Sequence, residues 1–159
     1  MLRILTQIIF SFFLFIGFSF AQNESSYKPV TEFDPLNDPA KDLKEAVNEA
    51  KNSNRRILLD VGGDWCIWCH RLDAFIESND EIKKYLNKNF ILLKINYSKE
   101  NKNEKFLSKY PEIEGYPHYF VLDKDGKFLH SQNTGDLEQD KGYSKEKMMA
   151  FLKEWALNK

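Results

Sequence analysis

Apolar residues first occur as an unbroken run. Ile4 to Ala21 carries no charged side chain and holds six of the 13 phenylalanines. Arg3 precedes the run, and Ser19-Phe20-Ala21 closes it with small residues on either side of a phenylalanine. A basic start, an apolar run and such a tripeptide predict a secretory signal peptide over residues 1–21, cut after Ala21. The run also stands at the lower edge of a membrane-spanning length, so an uncleaved anchor is the rival expectation. In either case the remainder is exported, to the periplasm or as a secreted protein, where disulfides form and persist. Contact with a membrane is expected only if the segment is not cleaved.

Residues 22–40 are polar and broken by Pro29, Pro35 and Pro39, the pattern of an irregular arm or linker. From there the pattern becomes regular, and residues 41–159 read as one domain. Leu43, Ala46, Val47 and Ala50 recur at helical spacing and predict a helix from Asp42 to about Asn52. Arg56 to Val61 is a short apolar run ending in Gly62-Gly63, a buried strand and a turn. A helix is predicted from about Cys66 to Glu77, another from near Asn79, and a buried strand over Phe90–Asn96. Lys99 to Tyr110 is expected to be helical. Two apolar runs, His118–Leu122 and Lys127–His130, flank Asp123-Lys124-Asp125-Gly126 and predict a hairpin. Ser144 is a suitable N-cap for a last helix with Met148, Met149, Phe151, Leu152 and Trp155 on its apolar face. This order of helices and strands predicts an α/β fold, a central mixed β-sheet flanked by helices.

Composition narrows the function classes. Lys and Arg total 23 against 24 for Asp and Glu, a net charge of −1. No basic excess is available to hold a phosphate backbone, so nucleic acid is not an expected partner. The 23 aromatic residues among 159 supply a core without staples. Two cysteines cannot build a disulfide framework or a four-cysteine zinc site, and no second ligand pair has metal spacing, so no metal is expected.

The candidate chemistry lies in Trp65-Cys66-Ile67-Trp68-Cys69-His70, directly after a strand and at the opening of a helix. A thiol at a helix N-terminus faces unpaired N–H groups and the positive end of the helix dipole, and both favour thiolate. Cys69, one turn on, shares a face with the apolar Leu72 and Ile76. Cys66 is therefore expected to be exposed and nucleophilic, and Cys69 shielded. That asymmetry suits thiol–disulfide exchange, with Cys66 attacking and Cys69 resolving the mixed disulfide. A purely structural bridge is a poor alternative, because so short a loop adds little stability. Cys66 to His70 also fits C-x-x-C-H, the covalent haem-attachment pattern, so a c-type electron carrier stays open, with Met148 or Met149 as a second ligand. A non-catalytic adaptor is a third class.

The strand, the W-C-x-x-C motif and the helix together resemble the thioredoxin superfamily, and more narrowly its exported members. The resemblance runs from about Lys41 to Lys159 and implies a thioredoxin fold and an exported thiol–disulfide oxidoreductase, with reduction of protein disulfides the favoured direction. It implies no diffusible cofactor, because the dithiol carries the electrons. Protein disulfides would be its substrates, and a membrane electron relay is an expected source of reductant. Gly115-Tyr116-Pro117 resembles the family's cis-proline loop, which makes Pro117 and Tyr116 substrate-binding candidates. Trp65 and Trp68 join them as an apolar docking surface, with Trp68 expected at the surface. Asp60 resembles the buried aspartate that handles the proton of the inner cysteine, and Lys94 resembles the lysine paired with it. Thr134-Gly135 resembles the glycine near the last strand. Ile67-Trp68 departs from the Gly-Pro of cytoplasmic thioredoxins, and His70 replaces a common lysine.

Overall fold

The computed structural model describes residues 27–157. The expected signal segment and the first residues of the arm lie outside the described residues. Among the described residues, no helix is long and apolar enough to cross a membrane.

The first helix, α1 (Pro39–Ser53), starts three residues before the position that apolar spacing predicts. Its start is set by capping: Asp38 accepts from the Ala40 and Lys41 N–H groups, and Pro39 occupies the first turn. Strand β1 (Arg56–Gly62) follows, then α2 (Ile67–Ser78) and α3 (Asp80–Asn89). Strand β2 (Phe90–Asn96) has the predicted limits. The predicted helix between Lys99 and Tyr110 shrinks to a single turn, α4 (Glu104–Leu107). Asparagine side chains compete with helical bonding there: the Asn101 carboxamide accepts from the Asn103 N–H at 2.9 Å, and Asn103 lies in the left-handed region.

The hairpin forms as expected from β3 (His118–Leu122) and β4 (Phe128–Asn133), turning at Gly126 with φ of 81°. A 3-10 turn over Thr134–Leu137 and two very short strands, β5 (Glu138–Gln139) and β6 (Gly142–Tyr143), lead to α5 (Lys145–Trp155), whose cap is Ser144.

Four strands form one mixed sheet in the order β2-β1-β3-β4, with β1 parallel to β2 and antiparallel to β3. Residues alternate across it. Leu58, Tyr119 and Val121 face a core completed by Leu72 and Ile76 of α2, Ile82 of α3 and Met148 of α5. Ile57, Leu59, Phe120 and Leu93 face the other core, beneath Ala46 and Ala50 of α1. The fold is thus an α/β sandwich with β1 at its centre. Leu59 is fully buried, with Leu93 and Phe120 on either side of it in register. Leu59→Ala is expected to cost about 2–5 kcal/mol in urea unfolding. A loss below about 1 kcal/mol would contradict the placement of β1.

Candidate active site

Strand β1 ends at Gly62, and the chain turns through Gly63-Asp64-Trp65 into α2. The Cys66 N–H donates to the Gly63 carbonyl at 2.9 Å, which closes the turn. Cys66 is the N-cap of α2, and its Sγ accepts from the Cys69 N–H at 3.1 Å. A β-carbon on Gly62 would fall 2.5 Å from Cys69 Sγ, so only glycine lets the first turn of α2 sit this close to the sheet.

Cys66 and Cys69 are joined as a disulfide with Cα atoms 5.2 Å apart. Both are buried, at 4% and 2% exposure. The expected exposure of Cys66 is therefore corrected for the disulfide state. Phe33, Trp68 and Tyr116 pack around the pair. What is exposed is the flank of the motif, with Trp65 at 58% and Ile67 at 61%.

The peptide bond between Tyr116 and Pro117 is cis. Strand β3 begins at the next residue, with His118 opposite Val61, so Pro117 lies beside the end of β1 where the disulfide sits. The Thr134 hydroxyl donates to the Pro117 carbonyl. Tyr116 stacks on Tyr97 at 4.7 Å between ring centroids and meets Trp65 edge-on at 5.6 Å. The Trp65 indole N–H donates to the Tyr97 carbonyl at 2.6 Å. Trp68 does not lie on the surface as expected. It is half-buried, edge-on to Tyr143 at 5.9 Å, with the Arg71 guanidinium 4.5 Å above its ring. Trp65 and Tyr116 thus form an outer aromatic group, and Trp68 packs inward.

Beneath the disulfide, Asp60, Lys94 and Tyr119 stand opposite one another across β2, β1 and β3, on the face covered by α2. Asp60 is 2% exposed, and its Oδ1 has no hydrogen-bond partner among the described residues. Burial raises its pKa from 3.8 to about 7, Lys94 opposes that rise, and Asp73 adds to it. Lys94 is a strand neighbour of Asp60, but its ammonium donates instead to Asp73 Oδ2 at 2.6 Å. The expected Asp60–Lys94 pair is thus corrected to a three-member group. Lys94 lies on the edge strand β2, and its long side chain reaches the half-exposed carboxylate of α2. Asp73 was missed as a site residue. The available signal was its position two helical turns after Cys66, on the same side of α2.

His70 Nε2 lies 2.8 Å from the Asp64 carbonyl, which can only accept, so the imidazole donates and ties the helix to the turn. A c-type haem would need a free imidazole and an accessible second ligand. Here His70 Nε2 is engaged, and Met148 and Met149 are buried in the core. Among the described residues, no group of three or more His, Cys, Asp or Glu side chains is placed to hold a metal.

A family model described as Thioredoxin-like matches residues 38–124. The thiol:disulfide interchange protein DsbD of Citrobacter koseri is 28% identical over 112 residues, 69% of this chain and 18% of that protein. The disulfide bond reductase DsbH of Chlamydia pneumoniae is 26% identical over 94 residues, 54% of this chain and 56% of that one. The chain therefore spans little more than half of one relative and a small part of the other. The solved structure of a disulphide isomerase from Xylella fastidiosa superposes with a TM-score of 0.67 at 25% identity, covering 77% of this chain and 94% of that one.

The raised pKa of Asp60 makes stability depend on pH. Between its unfolded value of 3.8 and its folded value of about 7, the folded chain holds a proton that the unfolded chain has lost. The contribution is fully present below 3.8 and is lost as pH rises through about 7. Asp60→Asn removes this dependence. Its stability relative to the parent is expected to rise between those limits and level off above them. Parallel stability–pH curves for the two proteins would rule out a buried, proton-holding Asp60.

Proposed function

Because the chain belongs to the thioredoxin-like family, we propose that it works outside the cytoplasm as a reductase of protein disulfides. A Cys-x-x-Cys disulfide in this fold makes it a thiol–disulfide oxidoreductase. The observation that carries the finer reading is the placement of the pair. One sulfur caps α2, and the other sits against Gly62, near a buried carboxyl group. Export is supported by the apolar run before Ala21 and its closing Ser19-Phe20-Ala21. The reductive direction is supported by the likeness to a disulfide bond reductase.

In the reduced protein, the Cys66 thiolate attacks one sulfur of a substrate disulfide. A bond forms between Cys66 and that sulfur, and the other substrate sulfur leaves as a thiolate and takes up a proton. Cys69 gives its proton to the Asp60 carboxylate and attacks Cys66 Sγ. The Cys66–Cys69 bond forms, and the second substrate sulfur leaves and is protonated. The substrate gains two electrons and two protons, which the dithiol loses. A dithiol partner, supplied through a membrane electron relay, reverses these steps on the protein and restores it. Lys94 and Asp73 hold the charge balance around Asp60. Pro117 and Tyr116 place the substrate strand beside Cys66, with Trp65 as an apolar contact and Trp68 as the packed support of the motif.

The fully reduced protein is expected to reduce insulin disulfides with dithiothreitol as donor, and Cys66→Ser to fall to the background rate. Cys69→Ala is expected to accumulate a mixed disulfide on Cys66 that dithiothreitol releases, read by mass. The reduction potential of the Cys66–Cys69 couple in the parent protein, measured against glutathione, is expected near that of thioredoxin, about −270 mV. A value near −120 mV, or activity retained by Cys66→Ser, would refute the proposal.

A further inference from the structure

Residues 27–38 hold no helix or strand, and Phe33 is the one buried side chain among them. The other large apolar residue of this stretch near it, Leu36, is 91% exposed. Tyr27 and Val30 pack, partly buried, against the core on the α1 face, and Phe33 is the ring of the arm that packs against the cysteines. That ring is pinned from both sides. Three residues before it, the Val30 carbonyl accepts from the Lys94 N–H of the edge strand β2 at 3.2 Å. Two residues after it, the Pro35 carbonyl accepts from the Asn101 carboxamide at 2.8 Å.

The ring fills a gap between sheet and helix. It packs with Cys66 and Cys69, and a β-carbon on Gly62 would lie 3.0 Å from its Cζ. The Lys94 ammonium lies 4.4 Å from its centroid, with Asp73 as its anionic partner. The ring face thus occupies a side of the ammonium that water would otherwise solvate. Phe33 lies on the β2 side of the site, against Cys69 and the Lys94 ammonium, whose strand neighbour is the buried Asp60.

We propose that Phe33 is a positioning residue of the exchange reaction, sealing the inner sulfur and its charged group from water and so setting how fast Cys69 resolves a mixed disulfide. The proposal rests on the dithiol mechanism given above. The charged and titratable groups that face Asp60 are Lys94 of β2, Asp73 of α2, and the Tyr119 and Tyr143 phenols of β3 and β6. With the ring removed, water reaches this group. The carboxylate is then better solvated and becomes a weaker base toward the Cys69 thiol. Attack by Cys66, at the start of α2, does not pass through that group.

Ellman's reagent separates the two steps. The Cys66 thiolate attacks its disulfide and releases one thionitrobenzoate. Cys69 then attacks Cys66 Sγ, its proton passing to Asp60, and releases the second. The dithiol loses two electrons, and the reagent gains them. Stopped-flow absorbance of the reduced full-length protein, Phe33→Leu and Phe33→Ala would follow both releases from pH 5 to 9. The first release is expected to stay within about twofold in all three. In Phe33→Ala the second is expected to slow about fivefold at pH 7, with its acid limb moved to lower pH, and Phe33→Leu to fall between. If Phe33→Ala keeps the parent's second release and pH profile while only its melting temperature drops, Phe33 is a packing residue and the proposal fails. If Phe33→Ala does not fold, Phe33→Leu decides on the same criterion. Absence of a second release from the parent would refute the resolving role of Cys69, and this proposal with it.

Discussion

The close approach of the Cys69 sulfur to the backbone of Gly62 is the constraint on which the site depends. It fixes the first turn of α2 against the end of β1, an inner strand of the sheet. From that one contact the other placements follow. Cys66 takes the N-cap, where its sulfur meets a backbone N–H. Asp60, two residues before Gly62 on the same face of β1, comes to lie beneath α2. Pro117, at the start of the strand on the other side of β1, comes alongside. A side chain at position 62 would force helix and sheet apart, and all three relations would loosen together.

The charges under α2 follow a different logic from a simple ion pair. A buried carboxylate and a buried ammonium in contact would each lose hydration for one attraction. Here the lysine bonds instead to Asp73, whose side chain is 37% exposed and still partly solvated. Asp60 is left near the positive charge without a hydrogen bond from it, with burial raising its pKa. This arrangement leaves Asp60 able to change protonation near neutrality, which a tight pair would prevent by holding the carboxylate ionised. The cost of that unpaired group is borne by the cores on both faces of the sheet.

Features that depend on local pattern were legible in the sequence. Strand β2 kept its limits because its apolar run, bounded by polar residues, is too short for a buried helix and of ordinary strand length. The site of the cysteine pair was legible because a glycine turn between a strand and a helix marks itself. What was not legible depended on tertiary partners. Asp73 is one of several polar residues on α2 until β2 brings Lys94 against it. Phe33 is one aromatic residue in a proline-broken arm until the fold carries the arm to the β2 edge. The short strands β5 and β6 are too brief for any period to show. The exposure of Cys66 was misjudged for a related reason. Helix position sets a thiol's electrostatics, but side chains from two other segments, with Trp68 of α2 itself, set its cover.

That cover differs on the two sides of the disulfide. On the inner side, Phe33 and Trp68 are held by contacts that continue into the fold, to Lys94 and to Tyr143. On the outer side, Trp65 and Ile67 expose most of their apolar surface. Leaving such area in water forgoes about 25 cal/mol for each Å² that burial would have stabilised. A chain folding for stability alone gains nothing from that placement. The exchange proposed above would gain from it, because a partner would bring a sulfur into line with Cys66 while Cys69 stays covered. Apolar area left open beside the outer sulfur, and closed beside the inner one, meets both requirements with a single disulfide at the end of one strand.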